Sequence, residues 1–451
     1  MKPRLLCISN GHGEDAIALQ ILQHIQALAP EISLAALPIV GDGHRYEAHS
    51  IPVVGSTKVL PSGGFIYMDR RQLMRDVRGG LIGLTLTQIK AVRHWVSEGV
   101  EKGAANAGAV LAVGDIVPLL FGWLSGVPYG FVGTAKSDYY WCDESAANSK
   151  HLGLAQAMGN RLIRQSGSIY FPWERWLMQR PHCRCVFPRD GLTVQQLSRW
   201  SIPAVEAGNP MMDGLVISPL ETVLEQASAS PLTVLLLPGS RNPEAYQNWQ
   251  LILQALDGVQ QLWSGPSVEF VGAIAPSLDL EPLEQALVTA GWQADLNALE
   301  AKGEGERGKG LATVGWQDAS KNPCYQRQGM TLTLSQSSFK AFAQQAQVAI
   351  ALAGTATEQF VGLGKPAIIL PGEGPQFNPT FAKAQTRLLG PSVILVNQPQ
   401  AVGKTLETLL GDPQRLTQIY HNGRQRMGKP GAGRRISEQV LERLLGVVGS
   451  G

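Results

Sequence analysis

The sequence predicts an α/β fold with two doubly wound, Rossmann-like domains, and three observations support that prediction. Apolar runs of strand length alternate with longer segments of helical periodicity. Several of these runs end in a glycine-containing loop directly before a helical segment, which is the usual ligand position in such folds. The chain of 451 residues is too long for one ordinary core, which favours two domains.

The composition is that of an ordinary globular protein. Hydrophobic residues make up 44% and charged residues 16%, with a net charge of +2. This profile excludes a disordered or fibrous chain, and the near-neutral charge gives no support for a nucleic-acid partner. The chain enters its first strand without a long apolar leader and contains no apolar run of about 18 residues. We therefore expect neither a signal peptide nor a membrane-spanning helix.

The five cysteines predict free thiols in a reducing compartment. They occur at positions 7, 142, 183, 185 and 324 and form no paired C-x-x-C set. The lone C-x-C of Cys183 and Cys185 is a weak metal signal, so we predict neither a disulfide framework nor a metal site.

The clearest local pattern is the stretch Ala349–Pro371, which predicts a strand, a tight loop, a helix, a turn and a second strand. Free backbone N–H groups and the helix dipole at such a loop favour a phosphate. Thr355 and Thr357 add hydroxyl donors, and Glu358 suits the hydroxyls of a ribose. We predict a nucleotide-diphosphate site here, and the alternative is an ordinary capped helix. The loop residues are Gly354, Thr355, Ala356, Thr357 and Glu358.

A second candidate loop follows the apolar run Leu232–Leu237. Its sequence is Pro-Gly-Ser-Arg, in which Gly239 and Ser240 bring backbone amides close to an anion. Arg241 adds a charge that binds phosphate in a bidentate manner. The alternative role for Arg241 is a surface salt bridge.

The first predicted strand, Arg4–Ser9, leads into a loop before a helix predicted over Ala16–Leu28. This loop is not G-x-G-x-x-G, so a dehydrogenase fits poorly. His12 is a candidate general base, because histidine changes its charge near neutral pH. The alternative is that His12 only lines the loop. The candidate loop residues are Gly11, His12, Gly13, Glu14 and Asp15.

Asp115 follows the apolar run Ala109–Gly114, at the predicted carboxyl end of a strand. A carboxylate in that position is well placed as a general base. Alternatively, Asp115 is only the N-cap of a helix over Pro118–Leu124.

The aromatic stretch Ile169–Trp176 is predicted as strand and turn. Gly208–Asp213 marks a turn near a domain boundary, and Pro413–Met427 and Arg434–Leu445 are predicted helices.

Four of these motifs together resemble the lipid-A-disaccharide synthase family, especially its cyanobacterial-type synthase-related branch. A more distant similarity is to the enzyme that makes lipid II and to monogalactosyldiacylglycerol synthase. The matching motifs are Gly11–Asp15, Gly208-Asn209-Pro210 with Asp213, Leu237–Arg241, and Ala353–Glu358.

The resemblance implies a GT-B glycosyltransferase whose two Rossmann-like domains face an interdomain cleft. Residues 1–213 would form the acceptor domain, 214–412 the UDP-sugar donor domain, and 413–451 C-terminal helices that pack back toward the first domain. Gly239, Ser240, Arg241 and the loop Gly354–Glu358 would bind the donor, and Asn209 would join the N-terminal loop on the acceptor side. The implied reaction is inverting and needs no metal or other cofactor, because helix termini and arginine neutralise the leaving diphosphate.

The resemblance also implies a lipid acceptor and peripheral contact with the inner, cytoplasmic face of a membrane. The stretch Gly63–Arg93 combines basic, apolar and aromatic residues and is the predicted membrane-contacting segment, the alternative being a core helix with a solvated basic edge. No pattern in the sequence specifies an oligomeric state. Alternative functions on the same fold are a UDP-N-acetylglucosamine 2-epimerase-like enzyme and a non-catalytic UDP-binding relative.

This chain departs from the synthase pattern at three places. His12 stands in the N-terminal loop, as in the galactolipid enzymes, where a histidine is thought to be the base. Asp115 lacks the second nearby carboxylate of the synthase, and Asn209 stands where the synthase usually has histidine. These differences concern the lipid substrate and leave glycosyl transfer as the expectation.

Overall fold

The structure is a computed structural model that describes residues 3–55, 81–101, 108–141, 167–227, 230–265, 267–295, 322–374 and 377–447. The chain divides into two compact units. Unit 1 comprises Met1–Gly214 together with Gly428–Gly451, and unit 2 comprises Leu215–Met427.

Unit 1 contains a parallel sheet with the strand order β2-β1-β3-β4-β5 in the described part of the chain. Its strands are β1 Arg4–Ser9, β2 Ser33–Pro38, β3 Ala109–Gly114, β4 Tyr129–Gly133 and β5 Cys183–Phe187. The helices of its first segment are α1 His12–Leu28, α2 His44–Glu47, α3 Leu81–Glu101, α4 Ile116–Leu124, α5 Pro172–Met178 and α6 Gly191–Ser198.

The central strands of unit 1 are buried because helices cover both faces of the sheet. Leu5 and Cys7 of β1 point into a core that also contains residues of α1 and of the C-terminal helix. Leu6 and Ile8 point into the opposite core, with Val92 of α3 among their neighbours. This alternation along one strand explains why β1 is a continuous apolar run.

Unit 2 contains a sheet with the strand order β13-β12-β11-β6-β7-β10-β9-β8. Its β8 and β9 are antiparallel to their neighbours, and the other pairings are parallel. The strands are β6 Leu232–Leu237, β7 Val268–Ala273, β8 Gln293–Ala294, β9 Cys324–Arg327, β10 Met330–Ser335, β11 Val348–Ala351, β12 Ala367–Ile369 and β13 Val393–Leu395. The helices are α7 Leu220–Ala227, α8 Glu244–Leu262, α9 Glu281–Thr289, α10 Phe339–Gln345, α11 Thr355–Gly362, α12 Pro379–Leu389, α13 Val402–Leu410 and α14 Pro413–Met427.

Each sheet has a topological switch point. In unit 1, β2 and β3 lie on opposite sides of β1, and in unit 2, β7 and β11 lie on opposite sides of β6. Loops that leave the carboxyl ends of β1 and β3, or of β6 and β11, therefore diverge at a crevice where open α/β sheets bind ligands. The candidate loops of the sequence analysis occupy both positions. The prediction of an α/β fold with two Rossmann-like sheets is confirmed.

The structure differs from the sequence predictions in several elements. Helix α1 begins at His12 and not at Ala16, so the loop after β1 contains only Asn10 and Gly11. The segment predicted as strand and turn over Ile169–Trp176 contains helix α5 instead. Residues 63–80 of the predicted membrane-contacting segment lie outside the described residues, and the rest of that segment falls in helix α3.

The two C-terminal helices belong to different units. Helix α14 packs within unit 2, whereas α15, Ala432–Leu445, packs on α1 within unit 1. The sequence predicts, in contrast, that the whole segment 413–451 packs toward the N-terminal domain. The difference arises because α14 buries Ile419 and Tyr420 among neighbours in its own unit, and its Tyr420 hydroxyl donates to the Ser218 carbonyl.

Candidate functional site

The two loops predicted to bind a nucleotide lie side by side in unit 2. Gly239 has a φ of +101°, and a Cβ at this position would lie 3.1 Å from the Leu352 carbonyl oxygen. Asn248 of α8 joins the two loops, because its Nδ2 donates to the Pro238 carbonyl at 3.0 Å and to the Leu352 carbonyl at 3.4 Å. A glycine is needed where the loops approach this closely and φ is positive.

The second of these loops ends at the start of α11. Gly354 is its N-cap and supplies no side-chain hydrogen bond, so the first N–H groups of the helix are available to an anion. Gln385 of α12 holds the loop from behind, since its Nε2 donates to the carbonyls of Ala353 and Gly354 at 3.1 and 3.3 Å. The helix N-terminus is therefore fixed in place before any ligand binds.

A third loop joins the same edge of the sheet. It follows β12 at Gly372, and a Cβ there would lie 2.7 Å from Asn248 Oδ1. The buried carboxylate of Glu244 accepts a hydrogen bond from the Phe377 backbone N–H at 2.5 Å, which ties this loop to the start of α8. Asn378 then caps α12 by accepting a hydrogen bond from the Phe381 N–H at 2.9 Å.

The predicted donor-site residues occupy different environments. Ser240, Arg241 and Thr355 are exposed, and Ala356 is half-buried. Thr357 is fully buried and its hydroxyl donates to the Ala353 carbonyl at 2.6 Å. The structure thus gives Thr357 a role in shaping the loop, whereas the sequence analysis expected a hydroxyl donor to the ligand. Glu358 lies one turn into α11 and is buried.

Two buried amide oxygens stand at this site without a hydrogen-bond partner among the described residues. They are Oδ1 of Asn248 and Oε1 of Gln385. Buried amide oxygens are normally paired, so a bound donor group or a water would satisfy them. The sequence predicts no role for either residue in the site, because the loop carbonyls of Leu352 and Ala353 are 104 residues from Asn248 and 32 residues from Gln385.

The candidate site of unit 1 begins at the N-terminus of α1. His12 and Gly13 are exposed, Gly11 is buried as the N-cap, and Glu14 is half-buried. Asp15 is buried and accepts a hydrogen bond from the Ser9 hydroxyl at 2.5 Å. Asp15 therefore anchors the first turn of α1 to the end of β1.

Asp115 lies beside this turn at the end of β3. Its Oδ1 accepts hydrogen bonds from Asn10 Nδ2 at 2.7 Å and from the Val117 N–H at 2.8 Å. The second of these bonds makes Asp115 the N-cap of α4, as one of the two sequence alternatives predicted. Its Oδ2 makes no hydrogen bond within the described ranges.

Gly114 allows these groups to converge. Its φ is +135°, and a Cβ would overlap Asn10 Oδ1 and lie 3.4 Å from Glu14 Cγ. Glu14 is held from the next strand, because Thr134 Oγ1 donates to its Oε1 at 3.3 Å. Glu14 and Asp115 thus share one site at the carboxyl ends of β1, β3 and β4.

Burial makes these carboxyl groups hold their protons more strongly. It raises the pKa of Glu14, and it raises the pKa of Asp115 to about 6, with the charge of Glu14 adding to the rise at Asp115. The hydrogen bonds that Asp115 accepts act in the opposite direction. A carboxylate with a pKa near 6 is ionised at neutral pH and is a stronger base than an ordinary aspartate.

A largely buried ion pair lies just beyond the end of β4. Lys136, just beyond β4, forms an ion pair with the buried Glu174 of α5 at 2.5 Å. Its ammonium also lies 4.6 Å from the centre of the Phe171 ring. The charge of Glu174 contributes to the raised pKa of Asp115, which places Lys136 and Glu174 in the same electrostatic environment.

Asn209 has a structural position in unit 1. It is buried, and its side chain accepts a hydrogen bond from the Met211 N–H at 3.1 Å, which caps a short 3-10 helix over Pro210–Met212. Asp213, at the end of the same motif, accepts hydrogen bonds from three consecutive N–H groups at the start of α15. This motif closes unit 1 around its C-terminal helix.

The described cysteines are Cys7, Cys183, Cys185 and Cys324, and all four are free thiols. Within the described ranges, no group of three or more His, Cys, Asp or Glu residues is arranged to hold a metal ion.

A polar cavity of about 550 Å³ lined in part by Arg327 and Asp257 lies at the opposite edge of the unit 2 sheet from the loops. Among the described helices, none is long and apolar enough to cross a membrane.

The chain matches no protein-family model and no curated protein sequence, but it is similar in structure to known proteins. CalG4, the calicheamicin glycosyltransferase, is 14% identical with a TM-score of 0.55, covering 99% of each chain. MurG from Acinetobacter baumannii is 12% identical with a TM-score of 0.54, covering 98% of this chain and 99% of that one. A putative UDP-N-acetylglucosamine 2-epimerase from Listeria monocytogenes is 12% identical with a TM-score of 0.50, covering 98% and 96%.

These similarities establish the fold class. The chain has the GT-B fold, in which two Rossmann-like units each carry a switch-point crevice. The neighbours include glycosyltransferases and a protein described as a putative UDP-N-acetylglucosamine 2-epimerase. The predicted fold is confirmed over nearly the whole chain.

Proposed function

We propose that this protein is a UDP-sugar-dependent glycosyltransferase, similar to lipid-A-disaccharide synthase, that transfers a sugar to a glycolipid or lipid-linked acceptor at a membrane surface. The observation that carries the proposal is the pair of loops in unit 2. Gly239 and Leu352 are in contact, and Asn248 holds both loops at the switch point of the sheet. This arrangement suits a sugar nucleotide, because two sets of backbone amides and one helix N-terminus meet at one edge.

In this proposal the diphosphate binds at the N-terminus of α11 and beside the Pro-Gly-Ser-Arg turn. The N–H groups that follow Gly354 donate to one phosphate, and Ser240 and the exposed Arg241 contact the other. The free oxygens of Asn248 and Gln385 accept hydrogen bonds from the ligand or from ordered water. Because these groups neutralise the leaving diphosphate, the proposed reaction needs no metal and no other cofactor.

Unit 1 supplies the acceptor site and the base. Asp115 is the proposed base, because its Oδ1 is fixed by two donors while its Oδ2 remains available. It removes the proton from the acceptor hydroxyl, the hydroxyl oxygen forms a bond to C1 of the sugar, and the bond from C1 to the UDP oxygen breaks. The configuration at C1 inverts, and UDP leaves with the electron pair. His12 is exposed at the first turn of α1 and is the second candidate for the base.

The alternative is a sugar-nucleotide 2-epimerase, which the similarity to the Listeria monocytogenes protein favours. The two reactions have different products. Incubation of the protein with UDP-sugars, with and without extracted membrane lipid, followed by NMR and mass spectrometry, distinguishes them. Transfer predicts free UDP and a glycosylated lipid only when lipid is present. Epimerisation predicts a new UDP-sugar without lipid, and that result would replace the proposal.

The donor site is tested separately by calorimetric titration with UDP. We expect Arg241→Ala to weaken binding by about tenfold or more, because it removes a charge-assisted contact to phosphate. Lys404→Glu, an exposed charge on α13, is the matched control and should bind as the wild type does. Unchanged affinity in Arg241→Ala would remove Arg241 from the donor site.

A further inference from the structure

Unit 1 carries an exposed aromatic face on two neighbouring helices. Trp173 and Trp176 of α5 are 56% and 43% exposed, and Leu120 and Trp123 of α4 are 38% and 37% exposed. The rings of Trp123 and Trp176 meet edge to face at 5.4 Å, which joins the two helices. Residues three apart share one side of a helix, so all four residues form a single surface, called here the aromatic face.

Such a surface is unusual on a protein in water. Single exposed apolar residues are common, but three tryptophans and a leucine in one patch indicate a contact surface. Tryptophan is enriched where proteins meet the headgroup region of a bilayer, since its ring is apolar and its N–H is polar.

An arginine borders the aromatic face. The Arg180 guanidinium lies 4.1 Å from the centre of the Trp176 ring. Helix α4 has no charged residue, and the one acidic residue of α5, Glu174, is buried and paired with Lys136. Apolar side chains beside Arg180 match an anionic lipid surface in both hydrophobicity and charge.

The aromatic face shares helix α4 with the candidate acceptor site. Trp173 stacks on Phe171 with 4.6 Å between ring centres, and the Lys136 ammonium lies 4.6 Å from the centre of the Phe171 ring. Asp115 is the N-cap of α4, the helix that carries Trp123. Because α4 has nine residues and rises about 1.5 Å per residue, the backbone of Trp123 lies within about 15 Å of the backbone of Asp115.

We propose that the aromatic face docks unit 1 on an anionic lipid bilayer and so presents a lipid acceptor to Asp115. This inference rests on the proposed function and adds a second membrane contact to the one predicted over Gly63–Arg93. In the described part of that segment, Leu86 of α3 is exposed and Val92 lies in the core.

The test is co-sedimentation of the full-length protein with vesicles of phosphatidylcholine alone or mixed with phosphatidylglycerol. We expect the wild type to bind the anionic vesicles and the double variant Trp173→Ala, Trp176→Ala to lose about tenfold or more in partition. The matched control is Leu262→Ala with Val288→Ala, which truncates two exposed apolar residues of unit 2 and should leave binding unchanged. Equal partition of the wild type and the tryptophan variant would overturn the proposal.

The electrostatic part has its own variant. Arg180→Glu should weaken binding to anionic vesicles and leave any binding to phosphatidylcholine vesicles unchanged, with Lys404→Glu as the control. Equal loss in both variants would show only an effect of net charge and would contradict the proposed site. A wild type that ignores vesicles but forms a complex with another protein through this face would likewise overturn the proposal.

A further measurement does not depend on how the alanine variants fold. Brominated lipids in the anionic vesicles should quench tryptophan fluorescence of the wild type, and replacement of Trp123, Trp173 and Trp176 by Phe should abolish the quenching. Persistent quenching in that variant would place the contact elsewhere.

Activity distinguishes this inference from the proposed function. With a water-soluble acceptor analogue, the double tryptophan variant should retain wild-type turnover, whereas transfer to an acceptor in vesicles should fall about tenfold. If the protein binds vesicles but transfers no sugar under any condition, the proposed glycosyltransferase function is refuted, whereas the docking of the aromatic face on the bilayer is still supported. If the wild type and the double tryptophan variant transfer sugar equally well to vesicle acceptors, the docking role of the aromatic face is refuted, whereas the proposed glycosyltransferase function is still supported.

Discussion

Replacing Asp115 with Asn separates the structural role of this residue from its proposed role as the base. The amide retains an oxygen that accepts the hydrogen bonds from Asn10 Nδ2 and the Val117 N–H, so the cap of α4 is preserved. The amide does not accept a proton at neutral pH. We therefore expect an intact fold and a fall in turnover of about 100-fold or more.

The same substitution has a second effect, on stability. The pKa of Asp115 is raised from 3.8 to about 6 in the folded protein, chiefly by burial. The folded state therefore binds this proton more tightly than the unfolded state, and the associated stability is complete below pH 3.8 and is lost as the pH rises through about 6. At about 1.4 kcal/mol for each pH unit, the ionised carboxylate costs about 3 kcal/mol above pH 6. The Asn variant should be more stable than the wild type at pH 8 by about 2–3 kcal/mol.

Two measurements check this reasoning. Chemical denaturation at pH 5 and pH 8 should show that the stability advantage of the variant grows with pH. In the wild type, kcat/KM should rise with pH through about 6, and the variant should lack this rise. Asp412→Asn is the matched control, because Asp412 also accepts a hydrogen bond from a helix N-terminal N–H, that of Arg415, at 3.0 Å. Full turnover with an unchanged pH profile in Asp115→Asn would refute the assignment, and a loss confined to His12→Gln would transfer the role to His12.

Three further substitutions test the supports of the two sites. Gly114→Ala should destabilise unit 1 by about 2–4 kcal/mol in denaturant titrations, because a Cβ would overlap Asn10 and φ is +135°. Gly126→Ala is the control: its φ is also positive, but a Cβ there meets open space, so this variant measures the cost of positive φ alone. Asn248→Ala should weaken UDP binding by about tenfold in calorimetry, since both loops lose their shared donor; unchanged affinity would show that the loops hold themselves. Lys365→Met should lower the free energy of unfolding by about 2–4 kcal/mol, because the Lys365 ammonium donates to three carbonyls at the end of α10. A loss below about 0.5 kcal/mol would contradict that structural role.

The candidate loops were predictable from the sequence because their chemistry is local. The stretch Ala349–Pro371 has an apolar run, a glycine, a helical pattern and a second apolar run, and the structure contains β11, α11 and β12 in that order. Gly239 likewise follows a buried strand at the position where positive φ is required. In both cases a few consecutive residues determine the turn, so no distant contact is needed to predict it.

The supports of these loops were not predictable in the same way. Asn248 and Gln385 lie inside helices, and nothing in their local sequence distinguishes them from surface amides. Their roles depend on which strands become neighbours, here β6 with β11, and on which helix covers the junction. Strand order is a property of the whole sheet, whereas periodicity reports only the local conformation.

The error at Ile169–Trp176 has a local cause. Tyr, Phe and Trp are common in strands, and the run of aromatic residues suggested one. The signals that decide the conformation are Pro172 at the first helical turn and Glu174, whose carboxylate accepts a hydrogen bond from the Phe171 N–H at 2.8 Å. The aromatic residues then fall on the outside of a short helix, and this change of conformation is what creates the aromatic face.

The motif at Gly208–Asp213 shows how a sequence pattern that resembles a family's site can serve the fold. Both oxygens of Asp213 are engaged, by the N–H groups of Gly431, Ala432 and Gly433 and by Gln20 Nε2 of α1. A carboxylate at a helix N-terminus stabilises that end of the helix dipole, so Asp213 fixes α15 against α1. Helix α15 in turn covers the core formed by β1 and β3, the strands whose carboxyl ends carry Asn10 and Asp115. The last helix of the chain therefore supports, through packing, the strands that hold the proposed base.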